Sequence, residues 1–297
     1  SFRLTESLTE LIKKAKIKVK DTVISVAGHS SVIVKRITLP EMTEDELAES
    51  IKFEAEQYVP FDIEDVNIDF QIIGLREERG QMDVILVAAK KDFMNEYVSV
   101  VKEVGLNPLV VDVNVFALEN MYGINYEIEA DSNVALVNIG ASSINLNILR
   151  GGVSVFTRES PVGSNMHTEA LRKEFKITHE EAEKIKRGEE TVGVSPDEAY
   201  HVIAESSGEI CNEVSRALDY FRAASVQSYV KEVILSGGCA LVGNFPRFLS
   251  DKLGIEVRLA EPFRNIKIPK KHEGSFENVA PIAAVAVGLA MRRPGDR

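Results

Sequence analysis

The chain has 297 residues with a formal net charge of −11 and a sequence pI near 5.1, a balance that repels a nucleic-acid backbone. Hydrophobic residues at 44% and charged residues at 27% describe an ordinary soluble globular chain with enough apolar surface for a real core. Cys211 and Cys239 stand far apart and the histidines fall at no ligand spacing, which argues against a disulfide framework or a zinc site. The chain opens on Ser1 directly into a helical pattern and reads as a fragment whose natural N-terminus lies upstream. Residues 5–16 place Leu8, Leu11 and Ile12 at helical spacing, with lysines toward the end where the helix dipole favours them. TVISVAGHSSVIVKRITL alternates on both sides of GHSS and reads as a hairpin. Thr43 and Glu46 form a capping box that opens a helix running to Tyr58, stopped by Pro60. VNIDFQIIG and MDVILVAA are strands joined by the polar turn REERGQ. After Lys91 an amphipathic helix carries Phe93, Tyr97, Val100, Val101 and Val104, closed by Gly105.

NPLVVDV reads as a short buried strand and VFALENMY as a helix. From Val134 three strands follow in succession, split by GASS and by RGG, an antiparallel meander in a chain otherwise mixed α/β. Thr178 with Glu181 caps HEEAEKIK, and Ser195, Pro196 and Glu198 open a helix reaching Ser225. At 1.5 Å per residue that helix is roughly 45 Å long. VILSGG is a strand ending in a glycine pair, and NFPRFLSDKL is a helix with Gly254 at its end. The apolar run VAPIAAVAVGLAM is too short to span a bilayer and belongs to a buried closing helix, APIAAVAVGLAMRR.

Two glycine turns carry the chemistry. In NIGASS, Gly140 permits a positive φ, and Ala141, Ser142 and Ser143 keep the rim low, so consecutive backbone N–H groups can form an anion nest. A plain hairpin needing small residues explains the same turn, and alone explains it better. In LSGGCALVGNFPRFL a strand ends in Gly237 and Gly238 and feeds a helix, placing bare backbone where anions or a ribose edge can be held. There is no G-x-G-x-x-G fingerprint and no Walker lysine. The pair in this order is more specific than either turn.

That order, with AEKIK between the turns and an alanine-rich closing helix, is similar to the actin-like ATPase fold. ITLPEMTEDELAESIKFEAEQYVPFDIEDVNIDFQI resembles the inserted subdomain of the PilM family, the FtsA-related type IV pilus assembly proteins. MDVILVAAKKDF, VVDVNVFALEN and AAVAVGLAMRRPGDR resemble that family too. The resemblance implies an α/β, actin-like, two-lobed fold of FtsA/PilM type with an inserted small α+β subdomain, the N-terminal phosphate-loop hairpin being missing from this chain. It assigns 1–20, 91–130 and 276–297 to the first lobe and 21–90 to the inserted subdomain. It assigns 131–163 and 231–275 to the core of the second lobe and 164–230 to its helical subdomain.

By the same resemblance NIGASS is the second phosphate loop, with Gly140, Ala141 and Ser142 facing the phosphates, and Gly237 and Gly238 line the adenosine pocket. Glu183 and Lys186 match positions that contact the ribose or base, although charge patterning alone reads them as a solvated helix face. ATP or ADP with magnesium is the implied cofactor, bound weakly or not at all without the upstream hairpin. Relatives that hydrolyse ATP carry Asp where Asn138 stands; an amide can hydrogen-bond a hydrated ion but cannot act as a base. The implied partner is the cytoplasmic N-terminal peptide of the inner-membrane protein PilN, which would hold this chain at the membrane from the cytoplasmic side. Tyr58, Val59 and Pro60 are the candidate contacts. Phe53 and Phe61 are candidates for the same apolar wall but read better as the subdomain's own core. A nucleotide-binding scaffold follows rather than an efficient enzyme, the alternatives being an FtsA- or GspL-like membrane-complex scaffold or a true low-turnover ATPase.

Overall fold

The computed structural model describes residues 2–28, 30–76, 80–189, 191, 193–225, 227–272, 274, 276 and 279–296. The chain divides into two compact units, Ser1–Asn114 with Leu289–Arg297, and Val115–Gly288. Residues 115–130 and 279–288, which the resemblance assigns to the first lobe, fall in the second of these units.

The first unit runs α1 (Phe2–Ala15), β1 (Asp21–Val26), β2 (Val32–Pro40), α2 (Glu44–Ala55), β3 (Val66–Leu75), β4 (Gln81–Lys90), α3 (Lys91–Glu103) and β5 (Asn107–Val113). The expected hairpin around GHSS does not form. β1 pairs in parallel with β5, Asp21 opposite Asn107 and Val26 opposite Val113, whereas β2 pairs antiparallel with β4. Alternating residues identify a strand but not its partner, so two neighbouring strands enter different sheets. His29, inside GHSS, and residues 77–79 of the REERGQ turn lie outside the described residues.

The second sheet has the order β2-β4-β3, with β4 central. Helix α2 covers one face. Its capping box forms as expected, Thr43 accepting from the Glu46 N–H and Glu46 accepting from the Thr43 N–H. Leu47, Ile51 and Ala55, spaced four apart on one helix face, pack against Ile37, Leu39, Phe70, Met82, Val84 and Leu86. On the other face Asp83 accepts from Arg36 at 2.7 Å and from Thr38 and Arg76 at 3.0 Å, joining β2 to the end of β3.

The second unit runs α4 (Asn114–Asn125), β6 (Asn133–Ile139), β7 (Ile144–Arg150), β8 (Val153–Ser160), α5 (Asn165–Phe175), α6 (His179–Lys186), α7 (Pro196–Ala224), β9 (Val230–Ser236), α8 (Phe245–Leu253), β10 (Glu256–Leu259) and α9 (Ala284–Leu289). Its sheet has the order β10-β9-β6-β7-β8, the expected meander extended by two parallel strands. Helix α7 buries Ala199, Ile203, Ser207, Ile210, Cys211, Val214, Ala217, Leu218 and Phe221, a stripe at helical period along its 29 residues. Helices α4 and α9 supply Leu118, Met121, Ala284 and Val287 to a separate core with Val134, Leu136 and Ile234. The closing helix is shorter than expected. Ala280–Ala283 form a 3-10 turn and α9 ends at Leu289, so MRR lies beyond it. Among the described residues no helix is long and apolar enough to cross a membrane.

Candidate functional site

The site in the second unit is built where β6 and β9 end side by side, with Asn138 opposite Ser236 in the parallel register. The turn after β6 closes when the Gly140 N–H donates to the Ser143 carbonyl at 2.9 Å. Gly140 does not take the positive φ expected of it; the turn closes without that conformation. Its carbonyl accepts from the Ser164 N–H at 2.9 Å, and the Ala141 carbonyl accepts from the Asn165 N–H at 2.8 Å. Ala141 and Ser142 are exposed, and among the described residues no protein acceptor takes either N–H. Two adjacent bare donors are the working part of an anion nest. A plain tight turn leaves the same two donors free, so the bare N–H groups permit an anion without requiring one.

Asn138 lies at the base of this turn, its Oδ1 accepting from Ser236 Oγ at 3.1 Å. Beside it Gly237 has φ +87° and ψ 173°, a region open essentially to glycine alone. A Cβ there would lie 2.4 Å from the Ile139 carbonyl oxygen and 2.9 Å from Asn138 Oδ1. The Gly237 N–H donates to the Pro281 carbonyl at 3.0 Å. Gly238 is exposed, with none of the described residues within 4 Å of where a Cβ would stand. Asn138, residues 140–142, Gly237 and Gly238 thus share one end of the sheet.

Glu183 and Lys186 are not a solvated helix face. Lys186 is 8% exposed, and its Nζ donates to Glu183 Oε1 and to Thr168 Oγ1, both at 2.9 Å. Thr168 in turn donates to the same carboxylate oxygen at 2.5 Å. Burial pushes the Glu183 carboxyl up, but hydrogen bonds from Lys186 and Thr168 and the Lys186 charge outweigh it and hold the group below its ordinary value. Next to Thr168, His167 is fully buried. Ser207 Oγ donates to the Ile203 carbonyl at 2.7 Å, so His167 Nε2 is the donor in its 3.0 Å contact with that oxygen. Among the described residues nothing partners the buried Nδ1.

Burial first and the Lys186 charge second depress His167 to about 4. Burial pushes the thiol of Cys239, the residue after Gly238, up to about 12. Lys186 further borders a cavity of 390 Å³ with Ile185, Tyr200, Ile203 and Asn244, large enough for a purine. Thr168, His167 and Ser236 went unnoticed in the sequence because their roles depend on partners from other elements.

The candidate partner residues lie in the first unit and fare unevenly. Val59 is buried in the subdomain core, so it offers no contact surface. Tyr58 is half-buried against that core, with Lys35 Nζ 5.6 Å from its ring centre, and Pro60 is exposed. Phe53 is 70% exposed, against the expectation that it fills the core, while Phe61 does pack there. The reason is helix phase: two residues beyond Ile51, Phe53 points away from the Leu47–Ile51–Ala55 face.

Together these features define an α/β protein of actin-like fold in two compact units, one of which presents a bare-backbone turn beside a glycine pair. The family model of the type IV pilus assembly protein PilM matches residues 2–294, and the chain belongs to that family. A solved PilM–PilN type IV pilus biogenesis complex contains a chain 27% identical, matching with a TM-score of 0.84 over 99% of this chain and 85% of that one. Ethanolamine utilization protein EutJ from Carboxydothermus hydrogenoformans matches at 23% identity and TM-score 0.47, covering 65% of this chain and 58% of its own. MreB 5 of Spiroplasma citri bound to AMPPNP matches at 17% identity and TM-score 0.49, covering 68% of this chain and 64% of its own.

Proposed function

We propose that this chain is an ATP-binding scaffold of type IV pilus assembly that docks the cytoplasmic N-terminal peptide of PilN, and through it the inner membrane, without efficient turnover. The observation that carries the docking is the likeness, over 99% of the chain, to a protein solved in a PilM–PilN complex. Tyr58 and Pro60 remain its candidate contacts, and exposed Phe53 joins them.

The nucleotide half rests on the second unit. The free N–H groups of Ala141 and Ser142 suit phosphate oxygens, and Gly237 leaves no room for any side chain beside Asn138. Gly238 offers open backbone for the nucleoside, and the cavity beside Lys186 offers space for a base. Glu183 and Lys186 are a pre-formed pair, held by Thr168, that would meet the ribose. ATP fits this set: its phosphates would supply the negative charge that the loop donors hold, and the Asn138 amide would hydrogen-bond a hydrated magnesium ion carried by them. Asn138 brings no carboxylate, so the residues at the loop hold nucleotide without supplying a base.

The test is calorimetric titration of the full-length protein with a synthetic PilN N-terminal peptide, with and without magnesium-ATP, while released phosphate is followed. Peptide and ATP binding with negligible phosphate release supports the scaffold. Brisk release points to the ATPase reading, and no peptide binding in either condition refutes the docking.

A further inference from the structure

Gly163 is buried just before α5, and nothing larger fits there. A Cβ on it would lie 2.6 Å from the carbonyl carbon and oxygen of Ala141 and 2.7 Å from the Ser142 nitrogen. These are backbone atoms and cannot swing aside as a flexible side chain would. The close approach has a purpose. It brings the Ser164 and Asn165 N–H groups, the first donors of α5, onto the carbonyls of Gly140 and Ala141. Ser164, at the N-cap position, makes no side-chain capping bond, so the loop carbonyls cap the helix instead.

The consequence for the loop follows from peptide geometry. In a trans peptide the C=O and N–H of one plane point in opposite directions, and none of the described peptides is cis. The Gly140 carbonyl shares its plane with the Ala141 N–H, and the Ala141 carbonyl shares its plane with the Ser142 N–H. Turning both carbonyls onto α5 therefore turns both N–H groups away from it, on residues that are exposed. Donors fixed before the ligand arrives lose little freedom when it binds.

We infer that Gly163 is the positioning residue of the phosphate loop: it lets the start of α5 grip two loop carbonyls and so aims the Ala141 and Ser142 N–H groups at an anion. The inference rests on the nucleotide-binding reading above and makes the grip specific to phosphates rather than to the nucleoside.

Amide hydrogen exchange read by NMR, with titrations of ATP, pyrophosphate and adenosine, tests it on wild type and on Gly163→Ala. In wild type the Ser164 and Asn165 amides are protected, while those of Ala141 and Ser142 exchange freely until ATP or pyrophosphate is added. Gly163→Ala, with its fold checked by circular dichroism, releases the Ser164 and Asn165 amides. It weakens ATP binding about tenfold or more, the worth of a lost hydrogen bond to a charged group, and leaves adenosine binding within about twofold. The inference is overturned by unprotected Ser164 and Asn165 amides in wild type, by unchanged ATP affinity in the variant, or by equal loss of ATP and adenosine. Wild type binding adenosine as tightly as ATP refutes the inference alone. Binding of neither refutes the nucleotide reading and the inference with it.

Discussion

A buried histidine beside a buried lysine has one comfortable charge state. His167 is neutral in the folded protein because burial and the Lys186 ammonium hold its pKa at about 4, whereas in the unfolded chain it protonates near 6.5. Between those values the unfolded state binds the extra proton, so the contribution of this residue to stability falls as pH drops from about 6.5 toward 4. At pH 5 the loss is on the order of 2 kcal/mol, at about 1.4 kcal/mol per pKa unit. Urea unfolding at pH 7 and pH 5, for wild type and His167→Gln, isolates it: the variant should lose about 2 kcal/mol less over that interval. Equal losses would mean that the ring already carries a proton in the fold. Asn138 makes a second residue-scale case. Its Oδ1 accepts from Ser236, a bond that a carboxylate keeps, so Asn138→Asp should fold normally. In the full-length protein it should raise phosphate release about tenfold or more if the missing base is what limits turnover. An unchanged rate would put the block in another step.

Glycines inside helices divide into those that are needed and those that are merely tolerated, and the division can be measured. A Cβ on Gly288 in α9 would lie 1.7 Å from the Ala117 carbonyl oxygen of α4, so the two helices meet backbone to backbone. Gly208 in α7 has none of the described residues within 4 Å of that position. Gly288→Ala should therefore cost about 3 kcal/mol or more through forced separation of α9 from α4, while Gly208→Ala should stabilise by roughly 0.5–1 kcal/mol. Urea midpoints of the two variants should move in opposite directions; a neutral Gly288→Ala would mean that α9 slides freely on α4. The elements themselves were legible because their signals are local. Both capping boxes formed, and α3 ends ahead of Gly105 at φ +81°. What stayed hidden were relations between elements. Alternation could not say that β1 pairs with β5. Charges spaced along α6 could not announce that Thr168, on α5, makes Lys186 a buried group. The glycine turns of the site stood out by composition, but the need for Gly163 arises from the Ala141 backbone, distant in sequence.

The molecule as a whole carries its candidate nucleotide residues in one compact unit and its candidate peptide contacts in the other, on a chain of net charge −11. If the scaffold responds to nucleotide, that response is a coupling free energy between two binding events, and coupling is reciprocal. Suppose magnesium-ATP tightens PilN peptide binding tenfold. Then saturating peptide must tighten ATP binding tenfold, since about 1.4 kcal/mol gained on one side of the cycle is gained on the other. Lys186→Met should disturb the cycle in a defined way: it removes the cation that holds Glu183 and Thr168, weakening ATP while leaving peptide affinity without nucleotide unchanged. Four calorimetric titrations close the cycle for wild type, and four more close it for the variant. We expect equal factors around the wild-type cycle, and a variant that binds peptide with the nucleotide-free affinity at ATP concentrations that saturate wild type. Factors of one in both directions would mean that the two ligands bind independently, making the protein a static adaptor rather than a switch. A peptide affinity lowered in Lys186→Met without nucleotide would instead place Lys186 in the folding of the peptide site itself.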